Sequence, residues 1–304
     1  MTSNVAASVR ARLANEAKRT RRPFQEMLQH FALERFLYRL SLSPYRGRFV
    51  LKGALLLRVW NTPTSRPTRD IDLLGYVENE LGTLERIVRE LCAINAAEDG
   101  LRFDADTVAA QRIKEDADYQ GLRVTFRAFL ERAQIPMQLD IGFGDVIHPS
   151  AQEGSYPTVL EFPPAELRMY PRETVVAEKF EAMVQLGRLN SRMKDFFDLW
   201  LLSRSFDFGG AELSQALAKT FANRGTALEV QPIALTAAHT KAEATQQQWA
   251  AFVRRSALDS APRTLEEIRE PLLGFLRPVA TALVNGHSFT DAWVAPGPWR
   301  GVTT

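Results

Sequence analysis

Three aspartates are the residues of this sequence whose type and spacing fit metal-assisted phosphoryl transfer. Asp70 and Asp72 are separated by one residue, and Asp140 lies in an alternating segment further along the chain. On a strand, side chains two residues apart project from the same face, about 7 Å apart. Two carboxylates placed in this way repel each other, and a divalent cation relieves that repulsion. Because Mg²⁺ prefers oxygen ligands, the pair predicts a Mg²⁺ site, with Mn²⁺ as the alternative ion.

Asp140 decides how the Asp-x-Asp pair is interpreted. Alone, the pair is equally typical of a polar strand edge or of turn caps, because short motifs often occur by chance. Asp140, alone, would be a solvent-facing strand residue, but it alternates with apolar residues from Ile135 to Phe143. If its strand lies beside residues 70–74, three carboxylates converge on one sheet face. Such a triad can hold metal ions against a triphosphate and an attacking hydroxyl.

The elements that must position these aspartates follow from hydrophobic periodicity. A short β-like run at 49–51 ends at Gly53, where backbone amides can approach a phosphate closely. Period-two alternation predicts strands at 70–74, 122–130 and 135–143, with a further strand within 103–114. Apolar residues spaced three and four apart predict helices at 4–20, 24–42, 54–60, 79–98, 172–187, 191–204, 211–222, 240–254 and 263–284.

This order of elements predicts an α+β protein with three domains. Residues 1–48 form a basic helical arm, residues 49–165 form an α/β core that contains the mixed sheet, and residues 166–304 form a C-terminal helical domain. The arm holds ten Lys and Arg against three Glu, whereas the rest of the chain has a small negative excess. Such asymmetry indicates contact with a polyanion, with a solvated helix face as the alternative.

Composition excludes several other classes of protein. The chain has 304 residues, 45% hydrophobic and 24% charged, which is ordinary for a globular protein and excludes collagen-like and disordered chains. Cys92 is the only cysteine, so an intrachain disulfide and a cysteine-rich zinc site are excluded, and it is expected to be inert packing. Because no apolar run approaches about 20 residues, we expect a cytoplasmic protein without a membrane partner.

The aspartates and their flanking residues resemble a known family. The segment Lys52-Gly53-Ala54-Leu55, followed by Arg66-Pro67-Thr68-Arg69-Asp70-Ile71-Asp72-Leu73, resembles the DNA-polymerase-β-like nucleotidyltransferase superfamily. More closely, it resembles the AbiEii/AbiGii-type nucleotidyltransferase toxins, which include the MenT toxins. Ala54 replaces the usual second Gly or Ser, which removes a hydroxyl but leaves a backbone N–H for phosphate. The resemblance covers about residues 49–204 and implies a polymerase-β-like mixed sheet with flanking helices.

The second half of the resemblance lies in the helical region. The sequence has Glu178-Lys179-Phe180-Glu181, then Arg188, then Lys194-Asp195-Phe196-Phe197-Asp198-Leu199. The resemblance implies that Lys179 binds triphosphate, that Asp195 is the functional acid with Asp198 as its competitor, and that the C-terminal domain completes the active site. The residues themselves show only that Asp195 and Asp198 share a helix face. Exposed helix charges and an ordinary Lys194–Asp198 pair are the alternative.

The resemblance implies a metal-dependent nucleotidyltransferase toxin of a toxin–antitoxin pair. It would transfer NMP from an NTP to an RNA acceptor, the 3′ end of tRNA, with release of pyrophosphate, and thereby block translation. Its partners would be NTP, RNA and a cognate antitoxin. The expected catalytic residues are Asp70, Asp72, Asp140, Lys179 and Asp195, of which Asp70, Asp72 and Asp140 bind the metal. The expected substrate-binding residues are Lys52, Gly53, Ala54, Arg66, Thr68, Arg69, Arg188 and Asp198.

Two other functions share part of this pattern. A small-molecule nucleotidyltransferase of the antibiotic-modifying type would use the same triad without a basic arm. A non-catalytic nucleotide- or RNA-binding regulator would need no turnover. The RNA hypothesis adds a role for the arm, whose basic residues fit a surface that follows a phosphate backbone. These residues are Arg10, Arg12, Lys18, Arg19, Arg21 and Arg22.

Overall fold

The structure is a computed structural model that describes residues 5–63, 66–96, 98–116, 119–258 and 260–301. The ends of the predicted terminal domains, 1–4 and 302–304, lie outside the described residues, as does position 97 of the predicted helix 79–98. The chain divides into two units. The first comprises Met1–Asn61, Pro67–Gly144 and Gln152–Met169. The second comprises Thr62–Arg66, Asp145–Ala151 and Tyr170–Thr304.

A seven-stranded mixed sheet forms the centre of the first unit and confirms the predicted α+β class. Its strands are β1 (Phe49–Lys52), β2 (Ile71–Gly75), β3 (Leu101–Asp116), β4 (Tyr119–Leu130), β5 (Ala133–Gly142), β6 (Gln152–Tyr156) and β7 (Ala165–Met169). They lie in the order β3-β4-β5-β2-β1-β7-β6. The pairs β2–β5 and β1–β7 are parallel, and the other neighbours are antiparallel. Strands β6 and β7 were not predicted, because both are short and β6 has almost no apolar alternation.

The described residues of the first unit form four α-helices. They are α1 (Val5–Thr20), α2 (Phe24–Leu42), α3 (Leu56–Val59) and α4 (Leu81–Ala93). The predicted helix at 54–60 is a 3₁₀ turn at Gly53–Leu55 followed by the single turn of α3. Helix α1 buries one apolar stripe, Val9, Leu13 and Ala17, and leaves its other side open. This amphipathic pattern is the one that predicted the helix.

Helix α2 is buried on nearly all sides, including several of its charged residues. Arg35 Nε lies 3.1 Å and Arg39 Nη1 lies 2.8 Å from Oδ2 of the buried Asp99. Arg35 also donates to the carbonyl oxygen of Pro163 at 2.7 Å. Two of the ten basic residues in 1–48 therefore form internal ion pairs. The positive excess of this segment overstates the charge that it offers to a polyanion.

The second unit is mainly helical, as expected for the C-terminal part of the chain. Its helices are α5 (Arg172–Leu186), α6 (Met193–Ser205), α7 (Gly210–Arg224), α8 (Ala237–Thr240), α9 (Glu243–Arg255) and α10 (Glu266–Val284). A small antiparallel sheet contains β8 (Phe208–Gly209), β9 (Ala292–Trp293) and β10 (Trp299–Arg300). Trp293 Nε1 donates to Ser203 O at 2.6 Å, and Trp299 Nε1 donates to Phe275 O at 2.8 Å. Through these contacts both tryptophans dock the C-terminal segment. None of the helices among the described residues combines the length and apolar character that a membrane crossing requires.

Candidate active site

Asp72 and Asp140 lie directly opposite each other on the parallel strands β2 and β5. Side chains opposed in this way share one face of the sheet. Asp70 precedes β2 by one residue and, by alternation, lies on that same face. One carboxylate oxygen from each of the three aspartates lies within 4.8 Å of the other two. The convergence expected from strand parity therefore occurs.

The apolar face of β2 holds the acidic pair in place. Ile71 and Leu73 are at most 1% exposed, whereas Asp70 and Asp72 are partly accessible on the opposite face. A shift of the strand by one residue would exchange these two sets, burying the carboxylates and exposing the isoleucine and leucine. Hydrophobic burial therefore fixes the register that brings the acidic groups together.

Gly53 approaches the triad from β1. Its φ is +75°, a left-handed conformation that favours glycine. A β-carbon at this position would lie 1.9 Å from Asp72 Oδ2, which is closer than any non-bonded contact allows. Lys52, the residue before Gly53, pairs across β1 and β2 with Asp72. Glycine is thus required here both for its backbone conformation and for the space that Asp72 occupies.

The triad has specific hydrogen-bond partners. Thr68 Oγ1 donates to Asp70 Oδ1. Arg123, on β4, forms a two-pronged pair with Asp140, Nε to Oδ1 at 2.8 Å and Nη2 to Oδ2 at 2.7 Å. The amide of Gln138 also donates to both oxygens of Asp140, at 3.3 and 3.2 Å. The hydrogen bonds to Asp140 raise the pKa of Arg123, and the charges of the three aspartates add to this effect.

The three aspartates fit a divalent cation. They offer only carboxylate oxygens, the hard donors that Mg²⁺ and Mn²⁺ prefer. Opposite ligands of an octahedral Mg²⁺ ion lie about 4.2 Å apart. Neighbouring ligands of the same ion lie about 3 Å apart. The three carboxylate oxygens lie within 4.8 Å of one another, so they would draw closer together around a shared ion. The donor chemistry of the triad and the convergence of its oxygens therefore fit a divalent cation.

A second charged cluster lies in the second unit, around Lys179 on α5. Its Nζ lies 2.6 Å from Asp195 Oδ1 and 2.8 Å from Asp198 Oδ2, both on α6. Arg66 binds Asp198 through two contacts, at 2.9 and 3.0 Å. Arg192 Nε lies 2.8 Å from Asp195 Oδ2. Lys179 therefore binds both aspartates that the family resemblance singled out in this part of the chain.

This cluster is buried yet remains ionised. Burial alone would lower the pKa of Lys179, but the charges of Asp195 and Asp198 outweigh it and raise that pKa. Burial alone would raise the pKa of each aspartate, but Lys179 with Arg192 or Arg66 holds both values below the ordinary range. Asp198 pairs with Lys179 and Arg66, while Lys194 is exposed. The Lys179 cluster is therefore not a set of exposed helix charges.

The other predicted substrate-binding residues differ in exposure. Lys52 and Ala54 are 7% and 5% exposed, at the end of β1 and in the following 3₁₀ turn. Arg69 is exposed next to Asp70 in the first unit, and Arg188 is exposed on a 3₁₀ turn of the second unit. Their roles in substrate binding stay predictions.

Three residues of these clusters were missed by the sequence analysis, namely Arg123, Gln138 and Arg192. For Arg123 a signal existed, since β4 and β5 form a hairpin with Leu130 opposite Ala133. Counting seven residues away from that turn on each strand places Arg123 opposite Asp140. The turn at Glu131 and Arg132 contains no Gly, Asn or Asp, the residues that usually mark a hairpin turn. Without a recognisable turn, the starting point of this count could not be located in the sequence. Gln138 lies two residues before Asp140 on β5, so strand alternation places it on the same polar face.

A known protein family matches most of this chain. A family model described as "Nucleotidyl transferase AbiEii toxin, Type IV TA system" matches residues 35–271. No curated protein matches the chain. Among solved structures, JHP933 from Helicobacter pylori is 14% identical with a TM-score of 0.42, covering 83% of this chain and 90% of its own. A candidate nucleotidyltransferase from H. pylori is 16% identical with a TM-score of 0.40, covering 84% of this chain and 95% of its own. Similarities this low carry no functional assignment.

Proposed function

Because the chain belongs to the AbiEii family of nucleotidyltransferase toxins from type IV toxin–antitoxin systems, we propose that it transfers NMP from an NTP to the 3′ end of an RNA. The convergence of Asp70, Asp72 and Asp140 on one sheet face carries this proposal. A nucleotidyltransferase uses an NTP, and a toxin of this family has an antitoxin as its partner. The metal dependence and the RNA acceptor are the steps that go beyond family membership.

In the proposed reaction, the 3′ oxygen of the acceptor forms a bond to the α-phosphorus of the NTP. The bond from that phosphorus to the bridging oxygen breaks, pyrophosphate leaves with the electron pair, and the hydroxyl proton passes to water. Asp70, Asp72 and Asp140 would hold Mg²⁺, which when bound neutralises phosphate charge and favours ionisation of the attacking hydroxyl. The chain itself contributes mainly positioning and electrostatics.

Several residues of the first unit support the proposed binding of the NTP phosphates. Gly53 provides a backbone amide on a turn that runs against Asp72. Lys52 precedes that turn, and Arg69 is an exposed cation next to Asp70. Positive groups and backbone amides close to a carboxylate triad suit a polyphosphate substrate. In the second unit, we assign Lys179 to the nucleotide and Asp195 to a functional carboxylate on family membership alone.

The acceptor proposal depends on helix α1. Its apolar stripe is buried and its Arg10 and Lys18 are exposed, as is Arg21 directly after its last residue. Arg19 pairs with Glu16 at 2.6 Å, and Arg22 pairs with Glu26. Arg12 lies over the ring of Phe162. Arg10 Nη1 lies 3.9 Å from Glu131 Oε2 and its guanidinium lies over the ring of Phe24, but this ion pair is long and 57% of the Arg10 side chain is exposed. The surface offered to RNA is therefore narrower than the six basic residues considered from the sequence, and we centre it on Arg10, Lys18 and Arg21.

The function is tested by incubating the purified protein with total RNA, Mg²⁺ and each α-labelled NTP separately. We expect label at RNA 3′ ends, with tRNA as the main acceptor, and loss of at least about 100-fold of the rate in Asp72→Asn. Expression should arrest growth, and Asp72→Asn should abolish the arrest. Label in a small molecule instead of RNA would overturn the acceptor assignment. Equal transfer by Asp72→Asn would overturn the role of the triad.

The arm is tested separately by RNA affinity as a function of salt. Replacing Arg10, Lys18 and Arg21 with Gln should weaken binding and reduce the salt slope, by about 0.7 to 0.9 for each phosphate that the arm no longer neutralises. The matched control replaces two exposed arginines of α9, Arg254 and Arg255, with Gln. An unchanged affinity and slope in the arm variant would exclude α1 from RNA binding and leave the transferase assignment intact.

A further inference from the structure

Four charged residues form a row across neighbouring strands of the seven-stranded sheet. Lys52 on β1 is opposite Asp72 on β2, Asp72 is opposite Asp140 on β5, and Asp140 is opposite Arg123 on β4. Directly opposed residues share a face, so the row has two adjacent negative charges with a positive charge at each end. Like charges directly opposite each other destabilise a sheet. The cations at the ends of this row counter that repulsion.

The guanidinium of Arg123 forms two hydrogen bonds with the carboxylate of Asp140, one to each oxygen. Both oxygens of Asp140 accept from it, at 2.8 and 2.7 Å, and both also accept from the Gln138 amide. Asp140 is 6% exposed, whereas a third of the Arg123 side chain is exposed to solvent. The pair is charge-assisted and two-pronged, which is the strongest common form of hydrogen bonding between side chains.

A divalent cation and this guanidinium need the same carboxylate. A cation bound by Asp140 must take electron pairs from oxygens that already accept two donors each, and it would bring a double positive charge beside Arg123. Arg123 reaches solvent with a third of its side chain, whereas Asp140 is buried in the sheet, so the arginine is the partner that a cation would displace. Binding of the cation and pairing with Arg123 therefore oppose each other.

We propose that Arg123 is an internal competitor of the divalent cation at Asp140, so that the Arg123–Asp140 pair lowers the affinity of the triad for the ion. This inference rests on the proposed metal-dependent function. It makes Arg123 a positioning residue that sets how much free cation the triad requires. Its role is separate from those of Thr68 and Gly53, which contact the other two carboxylates.

The test measures Mn²⁺ binding to the full-length protein by the loss of the free-ion electron paramagnetic resonance signal. In Arg123→Gln, we expect the dissociation constant to fall about tenfold or more, within the range for losing a competing charge-assisted hydrogen bond. Arg123→Lys keeps the charge without the fork and should give an intermediate value. Arg127→Gln is the matched control, because Arg127 lies on the same face of β4 but opposite Pro136. It should change the constant by less than about twofold.

Thermal unfolding gives a second readout that does not depend on activity. Arg123→Gln should unfold at a lower temperature than the wild type in chelator, because Asp140 then loses its main counter-charge. Added Mn²⁺ should raise the unfolding temperature of Arg123→Gln more than that of the wild type. A ligand that binds the folded protein stabilises it more when its dissociation constant is lower.

The outcomes separate this inference from the proposed function. Wild-type Mn²⁺ binding that disappears in Asp72→Asn supports the metal site. If Arg123→Gln then binds Mn²⁺ no more tightly than the wild type, the competition is overturned and the metal site stands. If neither the wild type nor Arg123→Gln binds Mn²⁺, the competition and the metal-dependent function are both overturned.

Discussion

The backbone of Gly53 passes so close to Asp72 that a β-carbon at position 53 would lie 1.9 Å from a carboxylate oxygen of that aspartate. The contact joins the turn after β1 to one of the three acidic groups. Replacement of Gly53 by alanine would therefore displace Asp72 without changing any charge.

Gly53→Ala should therefore lower both activity and stability. The methyl group must displace Asp72, and alanine is strained at a φ of +75°. We expect a loss of at least about 100-fold in the transfer rate and of about 1–3 kcal/mol in the free energy of unfolding. Gly47→Ala is the control, because apart from its chain neighbours no atom of the described residues lies within 4 Å of a β-carbon there. Equal activity of both variants would contradict the close approach.

Removing Lys179 should destabilise the second unit. In Lys179→Met, the side chains of Asp195 and Asp198, which are 2% and 1% exposed, keep only their arginine partners. Removing one partner of a buried ion pair typically lowers the free energy of unfolding by about 3–5 kcal/mol. Urea unfolding measures this decrease. Arg19→Met breaks the exposed pair with Glu16 and should cost less than about 1 kcal/mol. A similar cost in both variants would show that the Lys179 cluster contributes little to stability.

The same cluster should govern stability in acid. The folded-state pKa of Asp198 is held below its ordinary value of 3.8 by Arg66 and Lys179. Its contribution is fully present above pH 3.8 and disappears as the pH falls through the lower folded value. Asp198→Asn removes this titration, so its unfolding free energy should fall less steeply below about pH 4. Parallel acid profiles for the variant and the wild type would contradict this prediction.

Glu34 should have the opposite dependence on pH. Burial raises its pKa from 4.5 to about 8, against the favourable charges of Arg35 and Arg58. Between these values the unfolded chain loses the proton while the folded chain keeps it, so stability falls as the pH rises from about 5 to 8. Glu34→Gln removes this loss and should be more stable than the wild type by on the order of 1–3 kcal/mol at pH 8, with little difference at pH 5. A difference that does not vary with pH would contradict the raised pKa.

Cys92 should be chemically inert in the folded protein. It is buried on α4, and burial raises the pKa of its thiol to about 12. Because the thiolate is the reactive form, a disulfide reagent at pH 8 should modify the native protein at least about 100-fold more slowly than the urea-unfolded chain. Equal rates would mean that the helix opens readily.

Local patterns predicted the acidic triad but not its partners. Alternation alone placed Asp72 and Asp140 on polar strand faces, and only the pairing of β2 with β5 had to be assumed. The partner of Asp140 depends on a hairpin turn with no recognisable sequence signal. The pairing of Arg66 with Asp198 joins positions 132 residues apart. Hydrophobic periodicity predicts helices and strands but not contacts between such distant positions. The burial of Arg35 and Arg39 depends on Asp99, which lies in a connection between elements.

The interleaving of the two units limits how this protein can be divided. The segment Thr62–Arg66 belongs with the residues after Tyr170, although the chain on both sides of it belongs to the sheet-containing unit. A fragment that stops at Met169 would keep Arg66 and lose Asp198, its partner at 2.9 Å. A fragment that starts at Tyr170 would keep Asp198 without that arginine. Neither unit can therefore be expressed, exchanged or inherited as a simple length of chain, and truncation is a poor way to ask what either one does.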